Sequence, residues 1–381
     1  MREFIKNVLL VSIPSLIILI IMLEIILAFF MPLPSRPETI YDEQTNILKF
    51  NPESGSGTYT KGKFFQLRAD WSINNEGWNS PIDYQPDSGK NLIAVIGDSY
   101  VEALQVDITK SYPNLLNEML PDDQEVYAFG KSLYPLTQYL HVSRYVVEKY
   151  NPSTLVFTIV HNDFNESITG GTDDPRFRSL MTVTVNPDST IIENDPVFTN
   201  FLDEKLNPGF VRSIIQKSRV QRYVRHYEYL GINLQRMFAN MTESLSADEE
   251  EAEKEAPNFE ANINPEEVFE MREQIELAVD YTIGKIREEN PNKRIIFVMD
   301  APREVIYDGN DVSTSGAYWL NDLMRETTEK YNMDFLNLAP WMQADYREHQ
   351  TKFNSEVDSH WNEYGHQFVA ETLYNYLTSE N

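Results

Sequence analysis

Beyond residue 90 the chain alternates short apolar runs with longer amphipathic ones, and that rhythm restricts the available folds more than any other feature. "LIAVI" (92–96), "EVYAF" (125–129), "TLVFTIV" (154–160) and "RIIFVM" (294–299) read as strands, with "MDFLNL" (333–338) a weaker fifth. Helical spacing marks "SYPNLLNEML" (111–120) and "PLTQYLHVSRYVVEKY" (135–150), then the regions around 265–289, 317–331 and 363–377. Strands that are apolar on both faces and separated by helices predict an α/β fold, a parallel sheet between two helical layers. Functional groups in such a fold collect beyond the carboxyl ends of the strands.

The N-terminus carries a second constraint. From Val8 to Phe30, "VLLVSIPSLIILIIMLEIILAFF" is long and apolar enough to cross a bilayer as a helix. "MPLPSRPE" follows, where prolines break the helix and no small-x-small cleavage pattern stands, so the segment is read as a transmembrane anchor. Arg2 and Lys6 precede it, which favours a cytoplasmic N-terminus. The expectation is a single-pass protein of the inner, or cytoplasmic, membrane with its bulk on the extracytoplasmic (periplasmic or extracellular) side. Glu24 within the span is expected to be protonated or to snorkel towards an interface. Elsewhere, 59 acidic against 32 basic residues leave a net charge of -27, which argues against nucleic acid and anionic headgroups as partners. With no cysteine, disulfides, thiolate metal sites and cysteine nucleophiles are all excluded.

Four regions follow from the pattern: an anchor over 1–33, a loop-rich lead-in with a short hairpin over 34–90, a sheet domain over 91–169 and 266–381, and a helical insert or lid over 170–265. The insert holds the loop "GGTDDPR", a polar strand-like piece "MTVTVNPDSTIIEN" and the basic-aromatic stretch "VRSIIQKSRVQRYVRHYEYLGINLQRMF". Apolar residues at helical spacing in that stretch suggest a lid packed on the sheet domain. The acidic run "SADEEEAEKEAP" reads as a solvated linker.

Polar residues cluster where strands end. Strand 92–96 runs into Gly97-Asp98-Ser99, strand 154–160 into His161-Asn162-Asp163, and "VDSHWNEYGHQFVAETL" puts Asp358 and His360 on a short loop before a helix capped by Asn362 and carrying Gly365 and His366. A serine hydroxyl becomes nucleophilic when a base removes its proton, and the base needs a third group to fix its tautomer. Ser99, His360 and Asp358 supply these types, and Asn162 offers an amide for an oxyanion beside the Ser99 backbone N–H. His161 reads as a satisfied loop histidine and Asp163 as a tie to the loop backbone.

"GDSYVEALQV", "HND" and "DSHWNEYGH" together resemble the SGNH, or GDSL-type, hydrolase superfamily. The resemblance implies a flavodoxin-like three-layer sandwich with Ser99 as nucleophile, His360 as base and Asp358 as its orienter. It implies an oxyanion hole from Ser99, Asn162 and the second block, "AFGKSLYPLTQ", where Ala128 stands at the usual Asn, Gly130 at the first Gly and Leu133 at the second. Leucine avoids positive φ, so the turn at Leu133 is expected to depart from the family geometry. Asp358 and His360 stand in a "D-x-H-W" form similar to membrane-associated polysaccharide O-acetyltransferases of the superfamily.

The implied function is a membrane-anchored serine esterase or O-acyltransferase. It would act on O-acyl groups, expected to be acetyl, of a cell-surface or secreted polysaccharide through a Ser99 acyl-enzyme. No cofactor and no metal ion are called for. Its partners would be the acylated glycan and, by resemblance, a multi-pass membrane acyltransferase. The alternative is a non-catalytic SGNH-fold binding or scaffolding subunit of an envelope membrane complex. A different α/β enzyme using "GGTDDPR" with a metal is a third reading.

Overall fold

The computed structural model describes residues 6, 8–30, 35–62, 65–171, 175–207, 209–210, 215, 218–223 and 261–379. The chain separates into two compact units: Met1–Arg36, Thr58–Arg68 and Asn207–Glu255 form one, and Pro37–Gly57, Ala69–Leu206 and Ala256–Asn381 the other.

The larger unit is built on a five-stranded sheet. Its strands are β1 (Asn91–Gly97), β2 (Gln124–Gly130), β3 (Thr154–Ile159), β4 (Arg294–Met299) and β5 (Asp334–Asn337). Every pairing is parallel, and the spatial order is 2-1-3-4-5, the flavodoxin-like arrangement. Side-chain alternation divides the core into two layers. Leu92, Ala94, Ile96, Phe129, Phe157 and Phe297 face one way, and Ile93, Val95, Val126, Val156 and Ile296 the other. The first face is covered by α3 (Leu136–Tyr150), α5 (Arg272–Glu289) and α7 (Trp319–Lys330), the second by α2 (Tyr112–Met119) and α8 (Glu363–Thr378). This is the expected three-layer sandwich. Two short helices, α1 (Ser99–Glu102) and α4 (Asn162–Glu166), begin directly beyond β1 and β3, and α6 (Arg303–Tyr307) beyond β4.

The structure differs locally from the expectations. The region 265–289 is two helices, Pro265–Glu270 and α5, separated by Met271 at φ -92, ψ 6. Asp358 and His360 lie on a short strand, Asp358–Trp361, paired antiparallel with Asn354–Ser355, rather than on a loop. In the lead-in, Thr39–Asp42 and Ile47–Phe50 form an antiparallel pair, and Ile47, Leu48, Trp78 and Tyr84 are buried in the main core. The polar piece of the insert forms a hairpin of Thr182–Val185 and Ile191–Asn194, with Val183 in the core. Arg144 of α3 holds this hairpin to α5 through Glu193 (2.9 Å) and Glu289 (2.8 Å). Most of the basic-aromatic stretch, and all of the acidic run, lie outside the described residues.

In the smaller unit, Leu9–Phe29 is long and apolar enough to cross a membrane, with mean hydropathy 2.8, a property that a signal sequence near the N-terminus shares. Glu24 does not stand alone. Its carboxylate accepts from the Arg219 N–H (2.8 Å), the Val220 N–H (3.2 Å) and the Ser218 hydroxyl, so this chain itself supplies the donors.

Candidate active site

Strand β1 leaves the sheet at Gly97, and Asp98 caps the turn that follows. Asp98 Oδ1 accepts from the Tyr100 N–H (2.9 Å) and Oδ2 lies 3.0 Å from Ser99 Oγ, with Ser99 at the first position of α1. Burial raises the Asp98 carboxyl to about 6, against the lowering effects of the Tyr100 N–H, the His360 charge and Ser99. Gly130, at the end of β2, permits the tight approach of α1: a Cβ there would stand 2.2 Å from the Glu102 nitrogen.

The strand Asp358–Trp361 brings the histidine across. Asp358 is buried, and its Oδ1 accepts from the His360 backbone N–H (3.0 Å) and lies 2.5 Å from His360 Nδ1. A carboxylate in that place holds the proton on Nδ1 and leaves Nε2 as acceptor. Nε2 is 2.8 Å from Ser99 Oγ. The structure thus joins Ser99, His360 and Asp358 in one hydrogen-bonded line, with the geometry that a serine nucleophile, its base and an orienting acid require.

Residues after β4 brace this strand. Asp300 Oδ1 accepts from Trp361 Nε1 (2.9 Å), and the buried Arg303 donates to the Ser359 carbonyl (2.7 Å) and Tyr100 Oη (2.6 Å) while pairing with Asp300 (3.2 Å). The Tyr100 ring packs 5.0 Å from the His360 ring and 4.8 Å from Trp361. Sequence reasoning passed over "DAPR" (300–303), although it carries the same signal as the other clusters, polar residues directly after an apolar strand.

The second block differs from the expectation at Leu133. Tyr134 N–H donates to the Lys131 carbonyl (3.2 Å), closing a turn in which Leu133 has φ 79. That is the third position of a type II turn, where glycine is usual. Leucine therefore keeps the glycine backbone rather than departing from it, at a cost of about 1–3 kcal/mol. Glu102 of α1 holds this turn through Lys131 (2.8 Å) and the Ser132 hydroxyl, and the Lys131 ammonium lies 4.2 Å over the Phe50 ring.

Asn162 opens α4 beyond β3, which pairs directly with β1. Ser99 and Asn162 so emerge side by side where the strand order reverses, the switch point at which open α/β sheets bind ligands. One amide N–H of Asn162 is held by Glu166 (3.0 Å); the second is the donor that an oxyanion role needs. His161 is buried with Nε2 2.9 Å from Asn321 Oδ1, and burial lowers its pKa. Asp163 accepts from the Val160 N–H (2.9 Å) and the Tyr139 hydroxyl (2.8 Å), and burial pushes its carboxyl far up. Both are structural ties. His366 is buried too, its Nδ1 accepting from the Tyr112 N–H (3.2 Å), and burial, followed by the His360 charge, lowers it to about 3. Among the described residues no three His, Asp or Glu converge as a metal-ligand group, and "GGTDDPR" lies partly outside them.

No family model matches the chain, and no curated protein is similar to it. Solved structures do resemble it. The chain is similar to GDSL-type lipolytic proteins and carbohydrate acetylesterases. An acetyl xylan esterase is 14% identical with a TM-score of 0.39, covering 75% of this chain and 99% of its own. A member of the lipolytic G-D-S-L family from Veillonella parvula is 8% identical with a TM-score of 0.38, covering 76% and 98%. A carbohydrate acetylesterase from Sinorhizobium meliloti is 8% identical with a TM-score of 0.34, covering 77% and 100%. With likenesses this distant, the reading of the site rests on the chain's own topology and hydrogen bonds.

Proposed function

We propose that this chain is a serine esterase or O-acyltransferase acting on O-acyl groups, acetyl above all, of a cell-surface or secreted polysaccharide. The observation that carries the reading is the line from Asp358 through His360 to Ser99 at the sheet's switch point. Ser99 Oγ attacks the ester carbonyl while His360 Nε2 takes its proton, and Asp358 stabilises the resulting imidazolium. Backbone N–H groups of Ser99 and Leu133, with the Asn162 amide, receive the oxyanion. Gly130 lets α1 pack tightly beside them. As the intermediate collapses, the C–O bond to the sugar breaks and His360 returns the proton to the leaving sugar oxygen. Water or another sugar hydroxyl then attacks the acyl-enzyme, with His360 again as base, giving free acid or a transferred ester.

The N-terminal helix supports a place in the cytoplasmic membrane with the catalytic unit on the extracytoplasmic side. There a multi-pass acyl donor would be the natural partner. The scaffold alternative draws on two departures from the family pattern, Leu133 and the third block Val160-His161-Asn162-Asp163; of these, Leu133 retains the turn's backbone and gives it no support.

The test uses the full chain in detergent with Ser99→Ala as control. Acetate release from an O-acetylated oligosaccharide, or movement of acetyl to an added unacetylated one, is expected from the native chain and absent from the variant. Equal release by both chains would overturn the reading.

A further inference from the structure

Ser99 Oγ lies between two acceptors, His360 Nε2 at 2.8 Å and Asp98 Oδ2 at 3.0 Å, and a hydroxyl has one proton to donate. Asp358 occupies the far side of the histidine ring at Nδ1, and the Tyr100 N–H occupies Asp98 Oδ1. With His360 neutral and Asp98 ionised, the two contacts to Ser99 hold one proton too few. Both are satisfied once the line gains a proton, and it can hold that proton in two ways. Either Asp98 is a carboxylic acid donating to Ser99 Oγ while Ser99 donates to Nε2, or Asp98 is a carboxylate accepting from Ser99 while a protonated Nε2 donates to Oγ. One arrangement becomes the other when the acid proton moves to Oγ and the hydroxyl proton moves to Nε2, with the total charge unchanged.

The surroundings of Asp98 leave His360 as its partner in titration. Asp98 is buried, and among the described residues no Lys or Arg pairs with it. The titratable groups that face it are Tyr100 on its own helix, Tyr112 from α2, Tyr139 from α3, Asp163 from α4 and His360 from the strand Asp358–Trp361. Burial favours the neutral form of the three tyrosines and of Asp163. His366, which faces His360, is held neutral in the same way, lowered to about 3. Burial also brings Asp98 up to about 6, into the ordinary range of a histidine.

We propose that Asp98 is a positioning residue that holds one proton jointly with His360 across the Ser99 hydroxyl. For the activity this proton governs, the inference rests on the esterase reading. In the first arrangement Nε2 is free to accept and Ser99 is poised to attack; in the second the base is already occupied and the site is idle. A carboxylate at Asp98 favours the second, because it stabilises the imidazolium across from it. Loss of the shared proton as pH rises frees Nε2. Asp98 therefore raises the pH below which the Ser99–His360 pair stops working.

Two readouts on the full chain in detergent separate this from the esterase reading. Asp98→Asn removes the charge while its amide can keep both contacts, accepting from the Tyr100 N–H and donating to Ser99 Oγ. The acid limb of kcat/KM for 4-nitrophenyl acetate should move down by about one pH unit in this variant. Asp98→Ala should move the limb equally, but with a plateau about tenfold below that of Asp98→Asn because it also loses the donor. A merely structural role would lower the plateau and leave the limb in place, and a limb unmoved in both variants overturns the shared proton. The second readout needs no turnover: carbon-13 spectra of the chain labelled at its aspartate carboxyls, with the Asp98 resonance identified by its loss in either variant. In His360→Gln the Asp98 carboxyl should keep its proton to a pH higher by about one unit, because the neighbouring positive charge is gone. Identical Asp98 titration in the native chain and His360→Gln overturns the shared proton. A native chain that turns over no ester while Asp98 still answers to His360 overturns the esterase reading and leaves the shared proton standing.

Discussion

Glu102 and Lys131 form a buried ion pair, 2.8 Å apart, between the helix that carries Ser99 and the turn that carries Leu133. Both side chains are under a tenth exposed, so each charge depends on the other. Removing one partner, as in Glu102→Leu or Lys131→Met, is expected to cost about 3 kcal/mol by leaving a buried charge uncompensated. The double variant should recover much of that loss. Urea denaturation of the four chains provides the cycle, and purely additive losses would count against the pair as a clamp.

Gly130 and Leu133 occupy one block but answer to different constraints. Gly130→Ala must displace backbone, since its Cβ would stand 2.2 Å from the Glu102 nitrogen, and esterase activity should fall by at least about tenfold with a lowered melting temperature. Leu133→Gly relieves positive φ while losing packing against the core, so its stability should change by no more than about 1 kcal/mol, with turnover retained. Loss of activity in Leu133→Gly with an unchanged melting temperature would contradict a backbone role for this residue.

Arg303 is a positioning residue for the histidine strand. Arg303→Lys keeps the charge, but its shorter side chain does not carry the ammonium to the place from which Arg303 Nη2 donates to both the Ser359 carbonyl and Tyr100 Oη. For 4-nitrophenyl acetate, kcat should drop about tenfold or more with KM nearly unchanged, the pattern of a misplaced base. An equal rise in KM alone would contradict it.

His366 predicts an acid-sensitive fold. Burial lowers its pKa from the ordinary 6.5 to about 3, so below 6.5 the unfolded chain takes up a proton that the folded chain refuses. Its contribution is present above pH 6.5 and fades as pH falls towards 3, amounting to about 2 kcal/mol lost by pH 5. His366→Gln, whose amide oxygen can still accept from the Tyr112 N–H, should flatten stability between pH 7.5 and 5. Thermal melts at the two values check this, and parallel pH slopes in both chains would refute it.

The fold was legible because both faces of β1, β3 and β4 are buried, which writes each strand as an unbroken apolar run. The triad residues were legible because a strand end gains nothing in packing from Gly97-Asp98-Ser99, and because the D-x-H-W form has a recognisable spacing. Asp300 and Arg303 escaped notice because they act at a distance: their work depends on Trp361 and Ser359, far along the chain, and no local period records such a partner. The Glu102–Lys131 pair is hidden for the same reason. Leu133 misled because backbone preference is a weak prior that tertiary contacts can override, here through the ion pair and core packing.

The central claim is that Ser99 is an activated nucleophile, and reaction of the full chain in detergent with a fluorophosphonate tests it most directly. Intact-mass analysis should find one adduct, mapping to the Ser99 peptide, absent in Ser99→Ala and strongly slowed in His360→Ala. A native chain with a cooperative thermal melt that stays unlabelled, or is labelled elsewhere, would contradict the account.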